Sequence, residues 1–148
     1  MQTISENRTT KPPASPQRGR DTAVLSVLAL YYLLTGIWPV LHIRSFTAIT
    51  GPKTDVWLVK TFGLLVVAIG GWIFFALTRQ RHTEAAALGL STGAALAAAD
   101  VYYVATRRIS PVYLLDAVLQ ALFFGYWLKA RQRAARSADE PQIEALTH

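Results

Sequence analysis

The chain has 148 residues, of which 52% are hydrophobic, and it carries a formal net charge of +6 and no cysteine. The lack of cysteine excludes disulfides, thiolate metal sites and thiol redox chemistry. The apolar residues fall in blocks close to the roughly 20 residues that cross ~30 Å of hydrocarbon, which predicts one multi-pass membrane domain rather than a soluble bundle.

The N-terminal part of the chain is polar and contains several prolines. Residues 1–21 are therefore predicted to be a disordered tail. The first spanning helix is predicted over residues 22–43. Pro39 lies in its last third and should kink the helix or loosen its last turn, because proline lacks the backbone N–H that the helix needs. Trp38 is expected at the membrane interface.

The segment after the first helix is predicted to be an external loop, residues 45–55, which contains a Gly-Pro turn. Phe46 and Ile49 indicate that part of this loop lies against the membrane surface, although the apolar spacing is too short to predict an interfacial helix. The second spanning helix follows over residues 56–78, a segment in which Lys60 is the only charged residue.

The third spanning helix, predicted over residues 84–106, is built almost entirely of small side chains. Gly89, Gly93 and Ala97 recur every four residues, which is the small-xxx-small pattern of closely packed membrane helices. Other helices can therefore approach its backbone, and we expect this helix to be the one around which the others pack.

The fourth spanning helix is predicted over residues 111–129, and residues 130–148 form a charged C-terminal tail that begins as a helical extension. The membrane domain thus comprises residues 22–129. Most of the 15 Lys and Arg residues fall on one side of the membrane if both termini share that side. Basic residues favour the cytoplasmic side, so both termini are predicted to be cytoplasmic. The expected fold is all-α, a four-transmembrane-helix bundle with disordered cytoplasmic tails.

This topology places polar side chains from all four helices in the outer third of the membrane, whereas the inner two thirds are expected to be apolar. Charged groups within a membrane usually face the bundle interior and pair with one another. The simplest arrangement pairs Asp100 or Asp116 with Lys60 or Arg44. Such a cluster either fixes helix register or lines a pocket open to the outside or to the outer leaflet, for which Asp100 is the preferred binding group. The candidate ligand-binding residues are Trp38, His42, Trp57, Lys60, Asp100, Tyr103 and Asp116.

Neither a metal site nor a cofactor site is predicted. His42 is the only histidine on the outer side, and a transition metal usually needs three or four protein ligands. Gln120 is expected to form a hydrogen bond between helices. No catalytic residue is assigned.

Three stretches of the chain resemble a known group of proteins. They are residues 36–39 (GIWP), residues 45–46 (SF) and residues 50–59 (TGPKTDVWLV). Together with the four-helix layout, they resemble a family of small, uncharacterised bacterial integral membrane proteins whose general plan is DoxX-like. The resemblance implies a bacterial inner (plasma) membrane location. DoxX-like proteins are associated with membrane redox or stress assemblies, but the resemblance implies no specific activity.

Three functions remain open. Short loops and the lack of a charge at the midplane favour a structural or accessory membrane component. The alternative is a binder or carrier of a small molecule or lipid that uses the outer polar pocket. A membrane enzyme acting on lipophilic substrates, similar to the four-helix sterol isomerases, is less favoured. The expected partners are the lipid bilayer and either a membrane protein or a second copy, paired through the Gly70-Gly71 face, but not nucleic acid.

Overall fold

The structure is a computed structural model that describes the backbone of residues 16–146 and the side chains of residues 18–133. The described backbone is helical and contains no strand. All the helices except α2 include a segment long and apolar enough to cross a membrane, which confirms the predicted four-span, all-α fold. The helices are α1 (Pro16–Leu41), α2 (Ile43–Thr50), α3 (Val56–Thr78), α4 (His82–Ala105) and α5 (Leu114–Leu146), with a short 3-10 turn, Pro111–Tyr113, before α5.

The first and the last long helices extend beyond the predicted spans. α1 begins at Pro16, so residues 16–21 are helical rather than disordered. Proline suits a first helical turn, and the Tyr126 hydroxyl of α5 donates a hydrogen bond to Asp21 Oδ1 at 3.1 Å, which holds this part of α1 against the bundle. α5 continues to Leu146, well past the predicted end at residue 129. The predicted disorder of residues 1–15 lies outside the described residues.

The predicted external loop begins with a helix, which the sequence analysis did not predict. α2 follows α1 after a single non-helical residue, His42. It ends at Gly51, whose φ of 91° lies in the region that glycine adopts without a Cβ clash, and whose N–H donates to Thr47 O at 2.9 Å. Thr50 is buried, whereas Ile49 is exposed, so α2 has one face against the bundle and one away from it.

The most extensive interface joins α1 to α3. It depends on glycine, because a Cβ placed on Gly36 would lie 2.7 Å from the carbonyl oxygen of Gly63, and one on Gly63 would lie 2.5 Å from that of Gly36. A Cβ on Gly70 would lie 3.0 Å from Ala29 O, so Gly70 packs inside the bundle rather than on an open face, and pairing with a second copy stays a prediction. Gly71 is open.

α4 contacts all three other long helices, as predicted for the small-residue helix. Its glycines, however, are contacted by side chains of the neighbouring helices rather than by their backbones. A Cβ on Gly89 would lie 2.7 Å from Leu28 Cδ2, and one on Gly93 would lie 3.1 Å from the Tyr32 hydroxyl. The expectation that the other helices pack chiefly around α4 is therefore wrong, since the closest backbone approach lies between α1 and α3. The buried core is formed by Leu25, Leu28, Ala29, Tyr32, Val66, Ile73, Ala76, Leu77, Ala85 and Ala86.

Candidate functional site

A cavity of about 360 Å³ lies at the end of the bundle where α1 passes into α2. All five helices contribute to its wall, and it is partly open. We call it the α2-end cavity. Its wall is mainly apolar, with a polar region where α4 and α5 meet α1. Its lining side chains include Tyr31, Trp38, Phe46, Phe62, Asp100 and Asp116.

The polar region of the cavity is organised around Asp116. The Tyr31 hydroxyl of α1 donates a hydrogen bond to Asp116 Oδ1. Gln120 Nε2, one turn further along α5, donates to the same oxygen at 3.3 Å. Asp100 of α4 lies within hydrogen-bonding reach of Asp116. Its Oδ2 is buried and has no hydrogen-bond partner among the described residues.

The hydrogen bonds continue from this cavity into the bundle. The Tyr32 hydroxyl donates to the carbonyl oxygen of Gly89 at 3.0 Å and lies 3.3 Å from Gln120 Oε1. Position 89 lies about 16 Å along α4 from Asp100, at ~1.5 Å per residue. The expectation that the inner two thirds would be apolar is therefore wrong. The missing side chain of Gly93 leaves the space that Gln120 and Tyr32 occupy.

Gln120 forms the interhelical hydrogen bond that was predicted for it. It also lines a second cavity of about 290 Å³ between α4 and α5, together with Gly93 and Phe124. Gln120 is almost fully buried. It therefore lies between the two cavities and connects them through hydrogen bonds to Asp116 and Tyr32.

The α2-end cavity includes Trp38, Asp100 and Asp116 from the predicted set of site residues. The remaining four residues do not line it. Trp57 and Tyr103 are 68% and 44% exposed. His42 is exposed at the junction of α1 and α2, and Lys60 is partly buried beside the cavity wall.

The predicted ion pairs do not form. Within residues 18–133, neither Asp100 nor Asp116 makes a salt bridge to Lys60 or Arg44. The physical reason lies in the helix period. The cavity-lining residues of α3 are Val59, Phe62, Gly63 and Val66, which share one face, and Lys60 is rotated by about 100° from its neighbour Val59. Asp116 instead accepts hydrogen bonds from neutral donors.

Sequence reasoning missed the two tyrosines that complete the site. Tyr31 lines the cavity with Thr35 and Trp38, at the spacing of one helix face, whereas Tyr32 is fully buried beside it. Two adjacent tyrosines in the middle of an apolar segment were the available signal. Buried tyrosine hydroxyls usually have a hydrogen-bond partner, so they should have been paired with the polar groups of the later helices.

α2 and the loop that follows it are fixed at the end of the cavity by the residues that carry the family resemblance. Trp38 Nε1 donates to Ser45 Oγ at 2.9 Å, and the Trp38 and Phe46 rings meet edge-to-face at 5.7 Å. Lys53 Nζ donates to Thr50 O at 3.2 Å and lies 5.1 Å from the centre of the Tyr113 ring. These contacts hold α2 against the start of α5.

The described residues contain no group of three or more His, Cys, Asp or Glu side chains that could hold a metal ion. Comparisons with protein-family models, with curated proteins and with solved structures give no match. The DoxX-like resemblance therefore stays a prediction.

Proposed function

We propose that the protein binds a small amphiphilic molecule or lipid, which enters the α2-end cavity from the membrane. The observation that carries this proposal is the cavity itself. Its volume of about 360 Å³ falls in the range of ligand sites, which are mostly apolar and contain a few well-placed polar groups. Phe46 and Phe62 supply apolar surface, and the carboxyl groups of Asp100 and Asp116 supply the polar end.

We further propose that the protein resides in the bacterial inner membrane, with both termini cytoplasmic and the cavity facing the outside. The distribution of basic residues supports this orientation. Because the chain has no cysteine, single cysteines report sidedness directly. In intact cells, a membrane-impermeant maleimide should label Asp55→Cys, in the loop beside the cavity, and should leave Gln132→Cys unlabelled until the cells are lysed. The reverse pattern would place the cavity on the cytoplasmic side.

The binding proposal is tested by filling the cavity. Ala99 lines it, whereas its neighbour Ala98 does not, and both residues are exposed. We expect native mass spectrometry of the protein, extracted gently from its own membrane, to show one chemically defined adduct. Ala99→Phe should reduce adduct occupancy by about tenfold or more, because the ring occupies the site, which corresponds to at least about 1.4 kcal/mol. Ala98→Phe should retain the adduct, because its ring points away from the cavity.

Equal adduct occupancy in both alanine variants would contradict binding in this cavity. A bare chain, or one that carries only a second protein, would contradict the binding proposal and favour the alternative, a structural or accessory component. The observation that favours this alternative is the set of side-chain hydrogen bonds from Tyr31 and Tyr32, which join α1 to α4 and α5 independently of any ligand.

A further inference from the structure

The two carboxyl groups of the cavity differ in their hydrogen bonding. Asp116 Oδ1 already accepts from Tyr31 and from Gln120. Asp100 Oδ2 is buried and has no partner in the described part of the chain. A buried oxygen that lacks a donor is costly, and more so when it is charged. Asp100 and Asp116 both line the cavity and lie within hydrogen-bonding reach of each other, so they form an acidic pair in its wall.

The cavity wall supplies no cationic side chain to pair with these carboxyl groups. Among the residues that line the cavity there is no Lys or Arg. The ammonium group of Lys53 contacts Thr50 O and the face of the Tyr113 ring, two residues of the cavity wall. Lys60 does not line the cavity, and Arg44 is exposed. The cavity thus combines acidic groups with apolar walls and has no internal counter-charge.

We infer that the occupant of the α2-end cavity is an amphiphilic monocation, with an ammonium group at Asp100 and an apolar body against Phe46 and Phe62. This inference rests on the proposed binding function and specifies its ligand class. An ammonium donates to a carboxyl oxygen of this acidic pair and is also attracted by aromatic rings, of which Tyr31 and Trp38 line the cavity. A divalent metal ion fits less well, because it needs more oxygen ligands than the two carboxyl groups here and gains nothing from the apolar walls.

The inference is tested with three probes of the same shape and different charge: phenylbutylamine, phenylbutanol and phenylbutyrate. Binding is measured with the full chain in maltoside micelles, and protein-free micelles correct for partitioning. We expect the amine to bind about tenfold more tightly than the alcohol, and the carboxylate to bind most weakly. Asp100→Asn should remove most of the preference for the amine while leaving affinity for the alcohol within about twofold. Asp55→Asn, an exposed aspartate outside the cavity, should leave the preference intact.

The outcomes separate the two proposals. Equal affinity for the amine and the alcohol, with both weakened by Ala99→Phe, would overturn the cationic ligand and retain the cavity as a binding site. Tighter binding of phenylbutyrate than of phenylbutylamine would overturn the positive charge assigned to the ligand. If none of the probes binds, the ligand class is overturned, and the native adduct measurement with Ala99→Phe and Ala98→Phe decides the binding function independently. The comparison of the three probes on the wild-type protein needs no variant, so it tests the ligand charge even if Asp100→Asn fails to fold.

Discussion

Gly36→Leu should destabilise the protein more than any other single substitution considered, by at least about 3 kcal/mol. A Cβ at this position would lie 2.7 Å from Gly63 O and 2.9 Å from Val67 N, so the obstacle is backbone rather than a side chain that can rotate away. α1 and α3 would have to separate along their most extensive interface. Loss of packing is especially costly here, because helices in a membrane associate through close contact rather than through the hydrophobic effect.

The matched control is Gly71→Leu. Gly71 lies in α3, is exposed, and has no neighbouring atom within 4 Å of the place that a Cβ would occupy. Thermal unfolding in detergent should show a Tm lowered by about 10 °C for Gly36→Leu and little changed for Gly71→Leu. Equal Tm values for the two variants would contradict the close crossing of α1 and α3. Gly63→Leu should behave like Gly36→Leu, because each glycine faces the carbonyl group of the other.

The membrane-spanning helices were predictable because each of them can be recognised from its own apolar segment of membrane length, without knowledge of the rest of the chain. The prediction of residues 56–78 matches α3, and residues 84–106 differ from α4 by two residues or fewer at each end. The helical start at Pro16 and the helix after His42 were not predicted. Their side chains make hydrogen bonds that an apolar segment does not reveal, Tyr126 to Asp21 and Trp38 to Ser45.

The candidate site was only partly predictable, for a related reason. Depth in the membrane follows from position along a helix, so Asp100 and Asp116 were correctly expected at one level. The direction in which a side chain points around the helix axis, and so the helix that it faces, depends on how the helices pack together. Lys60 is rotated away from the face of α3 that lines the cavity and so meets neither carboxyl group. A tyrosine hydroxyl has no formal charge, and a search for charge pairs therefore passed over Tyr31, which is the actual partner of Asp116.

Tyr32→Ala should give the second largest loss of stability, about 3 kcal/mol. Tyr32 is among the largest fully buried side chains, and it contacts α3 at Gly70 as well as α4 and α5. Its removal would leave a cavity that the surrounding helices cannot close without shifting. The Gly89 carbonyl and Gln120 Oε1 would also lose their neighbouring hydroxyl. Tyr102→Ala is the control, because Tyr102 is 61% exposed, and its loss should stay within about 0.5 kcal/mol.

Tyr32→Phe separates packing from hydrogen bonding, because it removes the hydroxyl and keeps the ring. Hydrogen bonds between membrane helices contribute modestly, so we expect a loss of about 1 kcal/mol, well below that of Tyr32→Ala. Reversible unfolding in mixed micelles would measure both values. If Tyr32→Phe were as damaging as Tyr32→Ala, the hydrogen bonds from α1 to Gly89 and Gln120 would be the main support of the bundle, which would strengthen the structural alternative. If Tyr32→Phe were neutral, the ring alone would stabilise the core. The polar groups near the α2-end cavity would then not be required for stability and would be available to bind a ligand.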